Sequence, residues 1–152
     1  MLKFTSRERP SMYDIESCLF FITNKASKKI AETFNKRLAT LSITHVQWNA
    51  LYYLGQTRMI NQKELTDMMN IKSSTVVRLI DRMERDGLLK RVKNSEDRRL
   101  VYLELTDKGK TLRETLLPEV EKFRCDISRD INKEDLESFN RVLAQMLANL
   151  GS

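Results

Sequence analysis

With 152 residues, 41% of them hydrophobic and 32% charged, and a formal net charge of +6, the chain is long enough to bury one sizeable core and is expected to form a single globular domain. Four glycines and two prolines exclude a low-complexity chain, no apolar run approaches the ~20 residues of a membrane span, and the opening MLKFTSRERPS lacks the apolar core of a secretion signal. Two widely separated cysteines, Cys18 and Cys125, make no disulfide framework and point to a reducing cytoplasm.

In chain order, Ile15, Leu19, Ile22, Ala26, Ile30, Phe34 and Leu38 recur at steps of three or four and predict one long helix over about 11–39. Thr44 and Gln47 have capping-box spacing. The helix they open would bury Val46, Ala50, Leu51 and Leu54, with Gly55 available to end it. Asn61 and Glu64 repeat the start signal before a short helix with Leu65, Met68 and Met69 inward. After a break at 70–72, a third short helix opens near Ser73, turns Val76, Leu79, Ile80 and Met83 inward and stops at Asp86-Gly87. Three short helices with tight joints, the last basic on its outer side, are the pattern of a helix-turn-helix.

Beyond Gly87 the period becomes alternating. Leu88, Lys90 and Val92 lead out, Val101, Leu103 and Leu105 lead back, and the polar stretch 94–99 joins them. A hairpin appended to a helix-turn-helix is a winged helix. Thr106 then caps a helix striped by Leu112, Leu116, Val120, Phe123, Ile127 and Ile131, which Pro118 should kink. Asn132 caps a last helix carrying Leu136, Phe139, Leu143, Met146 and Leu150. The expected fold is mainly α with a small β-hairpin: a winged-helix lobe over 44–105, and terminal helices over 1–43 and 106–152. So little sheet is available to cover those terminal stripes that a homodimer is expected to bury them.

The charge is unevenly placed. Residues 1–43 and 72–99 each carry +4, residues 44–71 balance, and 100–152 carry −2. A basic stretch that coincides with the third short helix and the hairpin is the footprint of a phosphate-binding surface. A merely solvated face, with Asp81 and Arg85 paired along the helix, is the plainer alternative.

The run SSTVVRLIDRMERDGLLKR, followed by EDRRLVYLELTDKG, resembles the recognition helix, wing and following helix start of the MarR family, bacterial and archaeal regulators named for multiple antibiotic resistance. Thr44–Gln47 and QKELTDMMN match the family's upstream helices, so the resemblance covers nearly the whole chain. Its most specific part is Asp97-Arg98-Arg99 between two alternating strands, followed by Leu105-Thr106 and Gly109. The resemblance implies an intertwined homodimer on pseudo-palindromic double-stranded DNA, generally a repressor relieved by a small ligand or by oxidation. Ser73, Ser74, Thr75, Arg78 and Arg82 would then face the major groove, where an arginine can pair with guanine. Arg99 would enter the minor groove while Asp97 bonds a neighbouring guanidinium, and Arg98 belongs to the same wing. Lys72, Lys90, Arg91 and Lys93 are candidate phosphate contacts.

The signal is less legible. Tyr13, Phe20, Phe21, Trp48, Tyr52 and Tyr53 are candidates to line a pocket for a small aromatic ligand, although aromatics at helical spacing usually form core. In the family's peroxide-sensing branch the reactive cysteine falls where this chain has Phe20, two positions from Cys18, and its assisting tyrosines are matched by Asn24 and Phe34. Both cysteines are therefore expected to be inert and buried. His45 is the sole histidine and sits in the capping turn, which argues against a zinc cluster. No cofactor is implied, and no nucleophile elbow, phosphate loop or triad suggests an enzyme. The rival from another class is a winged-helix protein–protein adaptor, which would not require an arginine-rich wing.

Overall fold

A computed structural model describes residues 15–57, 59–94, 97 and 99–151. Its elements run α1 (Leu19–Leu38), a short 3-10 turn (Ala39–Leu41), α2 (His45–Gln56), β1 (Ile60–Asn61), α3 (Gln62–Met69), α4 (Ser73–Arg85), β2 (Leu89–Lys93), β3 (Val101–Leu105), α5 (Asp107–Ile127) and α6 (Lys133–Asn149). This is a winged helix-turn-helix between terminal helices, as the periodicity anticipates. None of the described helices is long and apolar enough to cross a membrane.

The helix starts follow from their caps. Thr44 and Asn61 both form complete capping boxes, with Gln47 and Glu64 as their partners. Thr106 and Asn132 each accept from a first-turn N–H, of Gly109 and Asp135 respectively. Where the sequence offers no such signal, periodicity overshoots. The first helix begins only at Leu19, with Cys18 as an N-cap that makes no side-chain bond, and Ile15 lies in the preceding turn. At the other end of the recognition segment, Asp86 closes α4 and Gly87 follows at φ +73, a left-handed conformation that glycine adopts without steric cost.

Two features differ from the periodic reading of the wing. The sheet has three strands rather than two, in the order β1-β3-β2, because the two-residue β1 pairs Ile60 with Leu103. A strand that short has no alternation to detect. In β2 the inward set is also shifted by one residue. Leu89 pairs with Leu105 and Arg91 with Leu103, so Leu89 and Arg91 share the strand face of those two buried leucines, although Arg91 itself stays exposed. A one-residue slip exchanges the faces of a strand, and the adjacent leucines 88 and 89, both buried, hide which of them sets the parity.

The core is continuous. Leu38 of α1 and Leu116 of α5 belong to the same cluster as Trp48, Leu51, Leu65, Val76, Ile80, Met83, Leu89 and Leu103. Met68, expected inside, is exposed, because the short α3 presents Leu65 to the core and Met69 only partly. Farther out, Phe34 stacks on Phe123 at 4.5 Å, and Arg37 lies over the same ring while pairing with Asp126 at 2.7 Å. The Arg37 hydrogen bond holds the Asp126 carboxyl below its ordinary range. This brace pins the C-terminal ends of α1 and α5 together. Pro118 lies inside α5, which continues through it and ends at Ile127, short of the expected Ile131.

At two glycines the space that a Cβ would fill is already occupied. Gly55 does not end α2, which runs on to Gln56. Instead the Arg113 side chain lies where a Cβ would stand. At Gly109 a Cβ would run into the backbone carbonyl of Leu88. Backbone cannot swing aside as a guanidinium can. Gly109→Ala is therefore expected to destabilise the fold by about 3 kcal/mol, whereas Gly55→Ala should stay within about 1 kcal/mol because the lost packing is offset by helix propensity. Urea unfolding of both variants checks this, and equal midpoints would contradict it.

Candidate nucleic-acid interface

Helix α4 owes its position to four side chains, Val76, Leu79, Ile80 and Met83, all buried in the common core. That spacing leaves the opposite face outside. Lys72, Ser73, Ser74, Thr75, Arg78 and Arg82 are all exposed, and they gather at the start and along the outer side of the helix. Among the described residues, neither Arg78 nor Arg82 makes an ion pair, so both guanidinium groups keep all their donors. Both carboxylates of α4 are occupied elsewhere. Asp81 accepts from Arg91 Nη2 at 2.6 Å, and Glu84 accepts from Arg91 Nη1 and from the Arg91 backbone N–H. The Asp81 bond leads the influences that push the Arg91 pKa up from its ordinary value.

Arg91 is exposed but its guanidinium is engaged by α4, and among the described residues Asp81 pairs with Arg91 rather than with Arg85. Counting strand parity from Leu89 would have revealed this. Lys90 lies on the other face, paired with Glu104 at 3.2 Å, and Lys93 is exposed at the end of β2.

At the wing tip, Asn94 N–H donates to the Leu100 carbonyl at 2.9 Å and Leu100 N–H to the Asp97 carbonyl at 3.0 Å. The Asp97 carboxylate accepts from the Arg99 backbone N–H at 2.9 Å. Asp97 thus shapes the turn through the main chain, as Asp side chains do in such turns. The Arg99 side chain is exposed and, among the described residues, unpaired. Arg98 lies outside the described residues, as does Tyr13.

Three of the aromatic candidates lie in contact on α2, apart from the exposed Phe20. Trp48 is a core residue with Tyr52 against it at 6.1 Å, and Tyr52 in turn meets Tyr53 edge-on. Phe20 is 74% exposed on α1. A cavity of about 540 Å³ lies elsewhere, between the end of α2, β3 and α5, lined by Gln56, Thr57, Glu104, Lys110, Arg113 and Glu114 among others. The buried Nε of Arg113 finds no acceptor among the described residues. An open groove along α1 includes Phe21, Lys25 and Lys29.

Neither cysteine is buried. Cys18 is half-buried at the head of α1, and Cys125 is exposed on the side of α5 that no element of the chain covers. Phe34 serves the ring stack with Phe123 described above. His45 is held by Asn35, whose Oδ1 accepts from its backbone N–H at 2.7 Å and lies 3.1 Å from Nδ1. Among the described residues no group of His, Cys, Asp and Glu is arranged to hold a metal.

Comparison with known proteins agrees with this geometry. Residues 43–101 match the family model described as the MarR family. A Bacillus subtilis protein named as an uncharacterized HTH-type transcriptional regulator, YwoH, is 29% identical over 124 residues, covering 82% of this chain and 90% of the relative. In structure, BpsR of Bordetella bronchiseptica, whose DNA binding is regulated by 6-hydroxynicotinic acid, superposes with a TM-score of 0.82 at 20% identity, over 90% of this chain and 97% of its own. A mutant MarR from E. coli complexed with operator DNA gives 0.81 at 20% identity, over 91% and 99%. The matched segment spans the helix-turn-helix and the wing, so residues 43–101 are similar to the MarR family, and the chain shares the winged-helix fold of these structures over nearly their full length.

Proposed function

We propose that this protein is a sequence-specific, duplex-DNA-binding transcriptional regulator of the cytoplasm, without catalytic activity, that acts as a homodimer. The observation that carries the reading is the outer face of α4. It offers three hydroxyl residues and two arginines that are unpaired among the described residues, the wing adds an exposed Arg99, and both helix carboxylates are turned to another task. Hydroxyls and arginines at a helix start can bond phosphates and base edges in a major groove. Lys72 and Lys93 would add affinity through phosphates, while Lys90 shares its charge with Glu104. The operator-bound E. coli protein has this fold, and its DNA binding supports the same use here.

Residues 44–105 serve as the DNA-reading lobe, and 1–43 with 106–152 as the dimerisation lobe. The dimer follows from α6, which carries no buried residue and leaves Phe139 58% and Leu150 80% exposed. Leu19, Phe20, Ile22 and Ile30 are likewise uncovered on α1. A second copy supplies equal apolar faces to both.

Relief by a small ligand completes the proposal, by analogy with BpsR. The cavity is lined by the cationic side chains of Lys110 and Arg113, which suit an anionic ligand.

Selection of bound duplexes from a random pool tests the reading. A pseudo-palindrome with half-site centres about one helical turn, ~10 base pairs, apart is expected, with retention weakened by some member of a panel of aromatic acids. A pool from which no motif is enriched would favour the adaptor alternative.

A further inference from the structure

The recognition helix has two acidic residues, Asp81 and Glu84, one turn apart, and both bond the same guanidinium. That guanidinium belongs to β2, the outgoing strand of the wing. Arg91 shares the strand face of Leu89 and stands opposite Leu103, on the side where α4 lies, and remains exposed. Its side chain is 32% exposed, against 58% for Asp81. One nitrogen goes to each carboxylate, and the Arg91 backbone N–H adds a third bond, to Glu84 Oε1 at 3.3 Å. A planar fork between two fixed acceptors is an arrangement that lysine cannot reproduce. The group of three carries a net charge of −1 on an otherwise basic surface.

We infer that this clamp is a specificity device: Asp81 and Glu84 hold Arg91 off the DNA backbone and tie the recognition helix to the wing, so that α4 meets duplex DNA through Arg78 and Arg82.

The inference rests on the DNA-binding reading above. Its physical basis is that cations on phosphates bind every sequence alike, whereas cations on base edges discriminate. An arginine released at this place would reach phosphates of any duplex and raise non-specific binding. Ion pairs this exposed contribute little to global stability, so stability alone gives little reason for spending both helix carboxylates on one arginine. In this role Arg91 is a positioning residue, acting through α4.

The test is a titration of the full-length protein against its selected duplex and a scrambled one at several salt concentrations. It compares the parent, Asp81→Asn/Glu84→Gln, and the triple variant that adds Arg91→Gln. The double variant should bind the scrambled duplex more tightly, and its ratio of selected to scrambled affinity should fall. Its slope of log affinity against log salt should steepen by roughly 0.9 for each freed arginine that finds a phosphate, or about 1.8 per dimer. Between 50 and 200 mM salt, its affinity then drops about tenfold more than the parent's. Adding Arg91→Gln should return the slope to the parental value, which separates a released arginine from a mere loss of carboxylate repulsion. Should the double variant fail to fold, Glu84→Gln alone keeps the Asp81 bond and should shift both readouts part of the way.

A double variant with the parental ratio and slope overturns the inference, and so does a steepened slope that persists in the triple variant. A parent that prefers its selected duplex while all variants behave alike overturns this inference alone. A parent that binds neither duplex overturns the DNA reading and the inference with it.

Discussion

Phe139→Asp is expected to yield a folded monomer that no longer binds its operator at concentrations where the parent saturates it. The side chain is 58% exposed in the single chain, so an aspartate there disturbs none of the protein's own packing. A buried phenylalanine contributes about 1.5–3 kcal/mol, and a two-fold interface counts each loss twice. Dimerisation should therefore weaken by about 3–6 kcal/mol, or roughly 10²- to 10⁴-fold, before the added cost of burying a carboxylate. DNA affinity follows, because a monomer engages one half-site where the dimer engages two. Sedimentation at micromolar concentration, circular dichroism and operator titration together check this. A Phe139→Asp protein that remains dimeric would place the interface elsewhere. One that becomes monomeric yet binds the operator normally would show that assembly is not needed for recognition.

Removing single arginines from the DNA face should separate two kinds of loss. Arg99 stands exposed at a wing tip whose turn is fixed through the Asp97 carboxylate and the main chain, so Arg99→Ala removes a cation and leaves the turn intact. Each dimer loses two charges, and the slope of log affinity against log salt should flatten by up to about 1.8. The loss should be shared by many sequences and be greatest where A·T-rich flanks narrow the minor groove. Arg78→Ala and Arg82→Ala should instead cost about 1–3 kcal/mol per half-site for a paired guanine and relax preference at one defined base position. Titration of the three variants against selected and scrambled duplexes distinguishes the patterns. Unchanged affinity and specificity in all three, with the fold intact, would remove α4 and the wing from DNA recognition.

Much of this architecture could be read from the sequence because its signals are local. A capping box needs only residues three apart, so Thr44–Gln47 and Asn61–Glu64 announced their helices correctly. The four inward residues of α4 follow from a helical period that one strongly amphipathic segment states by itself, and with them its basic outer face. What escaped depends on partners distant in the chain. The third strand exists because Ile60 meets Leu103, more than forty residues away. Gly109 is required by the Leu88 carbonyl and Gly55 lies against the Arg113 side chain, neither of which any local pattern marks. The pairing of Arg91 with α4 was hidden because two adjacent leucines both satisfy a strand's inward period. Only pairing with β3 selects Leu89, and that selection turns the arginine onto Asp81 and Glu84. Residue types and spacing therefore determined the helices, the wing and the charge of the DNA face. Which cations remain free to meet DNA was decided by tertiary packing, because an ion pair forms between groups that only the folded chain brings within reach.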